Sequence, residues 1–314
     1  MAIAVTTDNF ARAETDRYFA SLAEDAGGVN RWKHNREAAS VDHQLVIRLN
    51  RDTLYSFAIV DISEGAVLTM PDAGDRYVSA MVVNQDHYVN EVYHGAGRYQ
   101  LTVDQFDTPY VAVAVRTLVD ASDPADLAAA NAVQDGLRIE ATSARPFEAT
   151  DYDRASLDKT RMELLARGSD GLDTTGMFGR REDVDPEKHL VGTAGGWGGL
   201  PRSEAIYIGS PLDLPVGEYR LTVHDVPVDA FWSISVYNKD GYFEPNERGA
   251  YNVNSVMAER DAGGSITVHF GGCEDGRANC LPIMPGWNYI VRLYQPRGEV
   301  IDGTYVFPVP QRID

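Results

Sequence analysis

LTMPDAGDRYVSAMVVNQDHYV, residues 68–89, returns as LTVHDVPVDAFWSISVYNKDGYF at 221–243. From Tyr77 onward one offset, 154, carries the first copy onto the second: Tyr77 onto Phe231, Ser79 onto Ser233, Asn84 onto Asn238, Asp86 onto Asp240, Tyr88 onto Tyr242. The likeness runs outward in both directions. DTLYSFAIVDISEGAVLTMPD (52–72) resembles EAIYIGSPLDLPVGEYRLTVHD (204–225), and PYVAVAVRTLV (109–119) resembles GWNYIVRLYQP (286–296). Two copies are too few for a solenoid, which needs about three. The pattern is one β module used twice.

Around this repeat the chain reads as many short strands with turn punctuation. The strands of the first copy fall near 54–61, 66–70, 76–84 and 112–119, preceded by a first strand signal in VIRLN (46–50). Those of the second fall near 205–209, 217–224, 231–238, 265–270 and 288–295, with turns at Asp240-Gly241, Gly263-Gly264 and Pro285-Gly286. Such spacing predicts a sandwich or barrel. Helices are expected at 8–26, capped by Asp8 and ended by Gly27-Gly28, and over 124–140 behind Asp123-Pro124. A third runs from Asp153 to Gly168, and Asp185-Pro186 starts a short helical turn. The expected fold is mainly β: two jelly-roll or β-sandwich-like domains from an internal duplication, joined by a helical connector, plus an N-terminal helix. The expected boundaries are 1–122, 123–202 and 203–314.

Composition bounds the partners. The chain has 314 residues, 44% of them hydrophobic, and carries a net charge of −19. That is a folded globular composition with an acidic surface, which excludes nucleic acid or an anionic membrane as the main partner. No run of 18 apolar residues occurs, so no membrane span is expected. The N-terminus shows no leader pattern, which suits the cytoplasm; removal of a leader would instead point to the periplasm or secretion. Cys273 and Cys280 are too few for a cysteine zinc site and are either a small disulfide loop or two thiols. Exposed β edges would allow a homo-oligomer.

The chemistry-bearing residues form two groups. In NQDHYVNEVYH, Asp86, His87, Glu91 and His94 offer imidazole and carboxylate for general acid–base work or a divalent metal. The second copy has Gly241 where the first has His87, so the scaffold itself does not require the histidine. Asn84 and Asn238 suit a turn closed by side-chain-to-backbone hydrogen bonds. Asn50, Arg51, Asp52 and Tyr55 form the second group: Arg51 suits a carboxylate clamp, Tyr55 a hydrogen-bond donor. Arg116 and Arg292 end matching strands and read as structural salt bridges. Tyr237, Tyr251, Trp287 and Tyr289 line either an aromatic concavity or the core. His224 and His269 read as structural. GTAGGWGG (192–199) reads as a flexible or tightly packed loop rather than a phosphate cradle. Walker, GxSxG, HExxH and CxxC motifs are missing.

NRDTLYS (50–56), NQDHY (84–88), VPVDAFWSISVYNKDGYF (226–243) and CLPIMPGWNYIVRLYQPRGEVIDGTYVFP (280–308) resemble the bacterial proteins that carry paired DUF1254 and DUF1214 domains. The resemblance implies two β-sandwich or jelly-roll-like domains and brings no established activity. Arg51, Asp52, Tyr55, Asp86, His87 and Tyr88 fall in its motif segments, whereas His43 and His94 do not.

The leading expectation is an enzyme, a hydrolase or lyase acting on a small organic acid or ester from a site in the first domain. His87 is its general acid–base, Asp86 or Asp52 the orienter, Arg51 the anion clamp and Tyr55 a donor, with Asn84, Tyr88 and Glu91 contacting substrate. No cofactor is expected, although a divalent metal on His87, Glu91 and His94 is a further option. The alternative is a non-catalytic ligand-binding or assembly β-sandwich protein.

Overall fold

The structure, a computed structural model, describes residues 2–44, 47–168, 173–210 and 214–313. The chain divides into two compact units. Unit 1 comprises Met1–Arg36, Leu54–Val119 and Asp123–Arg202; unit 2 comprises Glu37–Thr53, Asp120–Ser122 and Ser203–Asp314.

Unit 1 runs α1 (Phe10–Ala26), β1 (Lys33–His34), β2 (Thr53–Asp61), β3 (Ala66–Met70), β4 (Val78–Asn84), β5 (Val89–His94), β6 (Gly97–Leu101), α2 (Val103–Phe106), β7 (Tyr110–Leu118), α3 (Pro124–Gly136), β8 (Arg138–Ala141), α4 (Arg154–Leu165) and α5 (Pro186–Gly196). One sheet has the order β1-β2-β7-β4-β5 and the other β6-β3-β8. The period of two along a strand sorts the side chains. Ala58, Val60, Val78, Ala80, Val82, Val111, Val113 and Val115 face the inter-sheet core with Leu68 and Met70. The opposite face of the larger sheet carries Ser79 and Arg116, which are register partners on β4 and β7. It too is buried, since every position of β4 is. Phe10, Ala13, Leu157 and Leu164 cluster where α1 meets α4.

Unit 2 runs β9 (Ala205–Gly209), β10 (Tyr219–Val223), β11 (Trp232–Tyr237), β12 (Asn252–Asn254), β13 (Ile266–Phe270), β14 (Cys280–Leu281), β15 (Asn288–Tyr294), α6 (Gly298–Ile301) and β16 (Gln311–Arg312). Its sheets have the orders β12-β11-β15-β9 and β14-β13-β10-β16. Its strand order parallels that of unit 1: β9-β15-β11-β12 runs like β2-β7-β4-β5 and β13-β10-β16 like β6-β3-β8, while β1 and β14 have no counterpart. The cross-strand pair Ser79–Arg116 likewise has its counterpart in Ser233–Arg292. The unit 2 core is built on Leu221, Trp232, Ile234, Val268, Phe270, Trp287, Tyr289 and Val291. Trp287 and Tyr289 are therefore core rather than concavity.

Several boundaries differ from those expected. Residues 123–202 are not a free connector but part of unit 1, because α4 and α5 pack on α1. Residues 37–53 belong to unit 2, ahead of the first long strand. In VIRLN, Val46 lies outside the described residues, and 47–50 form no strand because Arg48 turns left-handed at φ 57°. The first helix starts at Phe10 behind Asn9 rather than Asp8, and ends as expected on a left-handed Gly27. The helix behind Asp123 stops at Gly136, where the chain turns into β8. The helix from Asp185-Pro186 runs 11 residues and takes in half of the glycine run. Those glycines serve close packing: a side chain at Gly199 would run into the Phe178 ring. No helix among the described residues is long and apolar enough to cross a membrane.

Cys273 and Cys280 form a disulfide at a sequence separation of 7, and both are buried. Closing so short a loop removes about 2.5 kcal/mol of chain entropy from the unfolded state. The Cys273→Ser/Cys280→Ser pair is expected to lose about that much, read as a lower urea midpoint, and dithiothreitol should reproduce the loss in the parent.

Candidate functional site

The turn at 84–88 is legible down to its hydrogen bonds. Asn84 Oδ1 accepts from the backbone N–H of Asp86 and of Tyr88, both at 3.0 Å. Asn238 Oδ1 accepts from Asp240 N at 3.1 Å and Tyr242 N at 3.0 Å. In both turns the next residue is left-handed, His87 at φ 65° and Gly241 at φ 85°. Glycine adopts that conformation freely, whereas a histidine there costs about 1–2 kcal/mol.

What offsets the strain is the His87 side chain, which is wholly buried. Its Nε2 accepts the backbone N–H of Gly198 at 2.9 Å. Its Nδ1 lies 2.7 Å from Thr193 Oγ1, whose hydroxyl donates to His189 O at 2.8 Å. Thr193 therefore accepts, and the ring is the Nδ1–H tautomer with both nitrogens committed. Trp197 stacks on it at 5.4 Å and Phe178 meets it edge-on at 5.9 Å. Burial, then the nearby His189, lowers its pKa well below 6.5.

The other first-copy candidates have their own partners. Asp86 is bound by Arg12 at 2.7 Å and faces Arg181 at 3.6 Å, so it does not orient His87. Tyr88 stacks on His189 at 4.6 Å, with the Arg181 guanidinium over its ring at 4.5 Å. Glu91 pairs with Arg180 at 2.5 Å. Tyr55 lies under the Arg116 guanidinium at 5.4 Å. Arg116 Nη2 also donates to Gly198 O at 3.1 Å. The metal option needs His87, Glu91 and His94 together; among the described residues no three His, Cys, Asp or Glu side chains are placed to hold a metal.

Arg51 and Asp52 belong to unit 2, with the outer face of β12-β11-β15-β9. Asp52 is fully buried. Its Oδ1 accepts from Asn252 Nδ2 at 2.7 Å and Asn254 Nδ2 at 3.3 Å, and its Oδ2 has no hydrogen-bond partner among the described residues. Its charge acts at a distance on Arg292, which is also buried. Arg292 donates to Ser235 Oγ at 2.9 Å, to the Tyr237 hydroxyl at 2.7 Å and to Arg48 O at 3.0 Å. Burial alone depresses its pKa; Tyr237, Tyr294 and Asp52 outweigh that and raise it. Asn50 anchors the segment, accepting from Asp52 N at 2.8 Å and donating to the Tyr294 hydroxyl at 2.9 Å.

Arg51 stands apart from this pairing. It is half-buried, donates to the Ala39 carbonyl, and lies over the Tyr251 ring at 5.1 Å. Burial lowers its pKa, with only Tyr251 opposing. Arg48 was not singled out by the sequence, nor were Asn252 and Asn254. The one available signal was YNVN (251–254), amides alternating along a strand. His224 is exposed and sits 2.7 Å from Asp225, while His269 is part-buried with its pKa lowered by burial, then Arg277 and Arg220.

Two family models match the chain. One, described as "Protein of unknown function (DUF1254)", covers residues 29–141; the other, "Protein of unknown function (DUF1214)", covers 208–298. No curated protein matches. Among solved structures the chain is similar to the VPA0106 protein from Vibrio parahaemolyticus, with a TM-score of 0.74, 18% identity and 98% of each chain covered. It is also similar to a putative uncharacterized protein from Burkholderia cenocepacia, with a TM-score of 0.56 and 16% identity over 98% of this chain and 88% of that one. Identities this low speak for the fold alone.

Proposed function

We propose a ligand-binding role for this chain, which belongs to the DUF1254/DUF1214 domain-containing family. Unit 2 holds a small organic anion, and Arg51 is the residue that takes its carboxylate. One observation carries this reading: Arg51 is a half-buried guanidinium whose described partners are a carbonyl and an aromatic face, without a carboxylate. A planar fork in that setting suits bidentate capture of a carboxylate. The hydrolase or lyase reading loses its general base on this geometry, because both nitrogens of His87 are committed within a buried ring. The buried disulfide supports an oxidising compartment rather than the cytoplasm. Alkylation of the protein in intact cells should then leave both cysteines unmodified.

The binding claim is checked by calorimetric titration with butyrate. Losing a charged hydrogen-bond pair is worth about 1.5–3 kcal/mol, so Arg51→Gln should weaken binding roughly 10- to 150-fold. The melting temperature should hold within about 2 °C, as for a substitution outside the core. Unchanged affinity in that variant would remove Arg51 from the role.

A further inference from the structure

We infer that the ligand of unit 2 is a dicarboxylate, with one carboxylate on Arg51 and the second on Arg48. This rests on the reading of Arg51 above and extends it. The two arginines stand three residues apart on one segment, so their Cα atoms lie within about 10 Å of each other. Both are half-buried. Arg48 donates to Asn288 Oδ1 at 2.9 Å, and its guanidinium lies 6.0 Å from the Tyr237 ring. Like Arg51, it has no ion pair with a carboxylate among the described residues.

Four other sheltered arginines are arranged differently. Arg17 and Arg161 share Glu14, Arg76 pairs with Asp126 at 2.5 Å, and Arg292 has Asp52 nearby. The pKa shifts follow the same division: those of Arg17, Arg161 and Arg292 rise, those of Arg48 and Arg51 fall through burial. Asp52 forms no ion pair with either; its Oδ1 accepts from Asn252 and Asn254. Two cations have thus given up part of their hydration without gaining a counter-ion, on a chain of net charge −19. Binding an anion restores the missing partner to each.

Two guanidinium forks on one segment suit a ligand with two carboxylates. Arg51 lies by the Tyr251 ring, and Arg48 by the Tyr237 ring, which it shares with Arg292. Phe243 contacts both rings, at 5.7 Å from Tyr251 and 4.7 Å from Tyr237. Both cations thus border one aromatic cluster. Each planar fork takes one carboxylate, so a short chain with a carboxylate at each end serves both.

The test is calorimetric titration of the full chain with succinate, glutarate, butyrate and inorganic phosphate, on the parent, Arg48→Gln, Arg48→Lys and Arg51→Gln. At least one dicarboxylate should bind the parent tenfold or more tighter than butyrate. Arg48→Gln should remove that advantage and leave butyrate unchanged, Arg48→Lys should keep part of it, and Arg51→Gln should weaken every carboxylate. Equal binding of butyrate and the dicarboxylates, with Arg48→Gln silent, overturns the inference and leaves the Arg51 reading standing. Phosphate binding as tightly as the dicarboxylates overturns it in favour of a compact dianion. If none of the four binds, both readings fall. Thermal unfolding of each variant shows whether a loss of binding is a loss of fold.

Discussion

Alanine at position 87 should cost unit 1 about 3–5 kcal/mol of stability, the range for deleting a buried aromatic ring. The ring fills the space between Trp197 and Phe178, and its removal strands the N–H of Gly198. It also leaves alanine at φ 65°, where only glycine is comfortable. His87→Gly should therefore be more stable than His87→Ala by about 1 kcal/mol, the reverse of the usual order in a helix or strand. Urea unfolding followed by fluorescence of Trp197, which stacks on the ring, reads both numbers. A melting temperature untouched by His87→Ala would show that the buried network contributes nothing and would return the residue to chemistry.

The same residue sets a pH dependence. Its pKa in the fold is lowered, by burial first and His189 second, from an ordinary value of 6.5. Below about pH 6.5 the unfolded chain takes up a proton that the native ring refuses, so stability falls as pH falls. The slope approaches about 1.4 kcal/mol per pH unit and ends once the native pKa is reached. His87→Asn should lose this slope while His34 and His269, also lowered by burial, leave a smaller one in both proteins. Urea midpoints at pH 7 and pH 5 distinguish the two.

The second large effect is expected at Asp52. Asp52→Ala removes that charge from the surroundings of buried Arg292 and frees two amides, Asn252 and Asn254, that have no other described acceptor. Leaving the two amides without that acceptor costs about 1–3 kcal/mol each, and the lost field at Arg292 adds to it. Arg292→Met should cost a similar amount, and the double variant much less than the sum, because neither charge is then stranded. Additive losses in that cycle would mean that the two do not act as a pair.

Which of these features the sequence discloses depends on how far apart the partners lie. The Asn84 and Asn238 turns are local, their bonds closing within four residues, so the repeat alone reveals them. Strand order follows the same repeat. His87 is different: its partners are 106 and 111 residues away, and nothing near NQDHY points to Thr193 or Gly198. The contrast with Gly241 suggested a functional residue. Instead, one left-handed position is filled in two ways, by a residue that needs no support and by one that is supported from α5. Glycine content hid α5 itself, since Gly192 and Gly199 are there to admit Phe178. Arg51 and Asp52 precede the first long strand and so read as its beginning, yet Asp52 bonds to a residue 200 positions further on.

That separation has a consequence for synthesis. Unit 2 is assembled mainly from an early segment and a late one, with residues 54–119 and 123–202 of unit 1 emerging between them. At roughly 5–20 residues per second, the arginines and aspartate of 48–52 wait about 10–50 s for β11, β12 and β15 to leave the ribosome. Unit 1 has everything it needs well before that. A fragment beginning at Ser203 would carry every strand of the second sandwich and still lack Arg48, Arg51 and Asp52. In such a piece Arg292 meets no carboxylate from 37–53. The C-terminal half is thus a domain by shape and an incomplete one by charge.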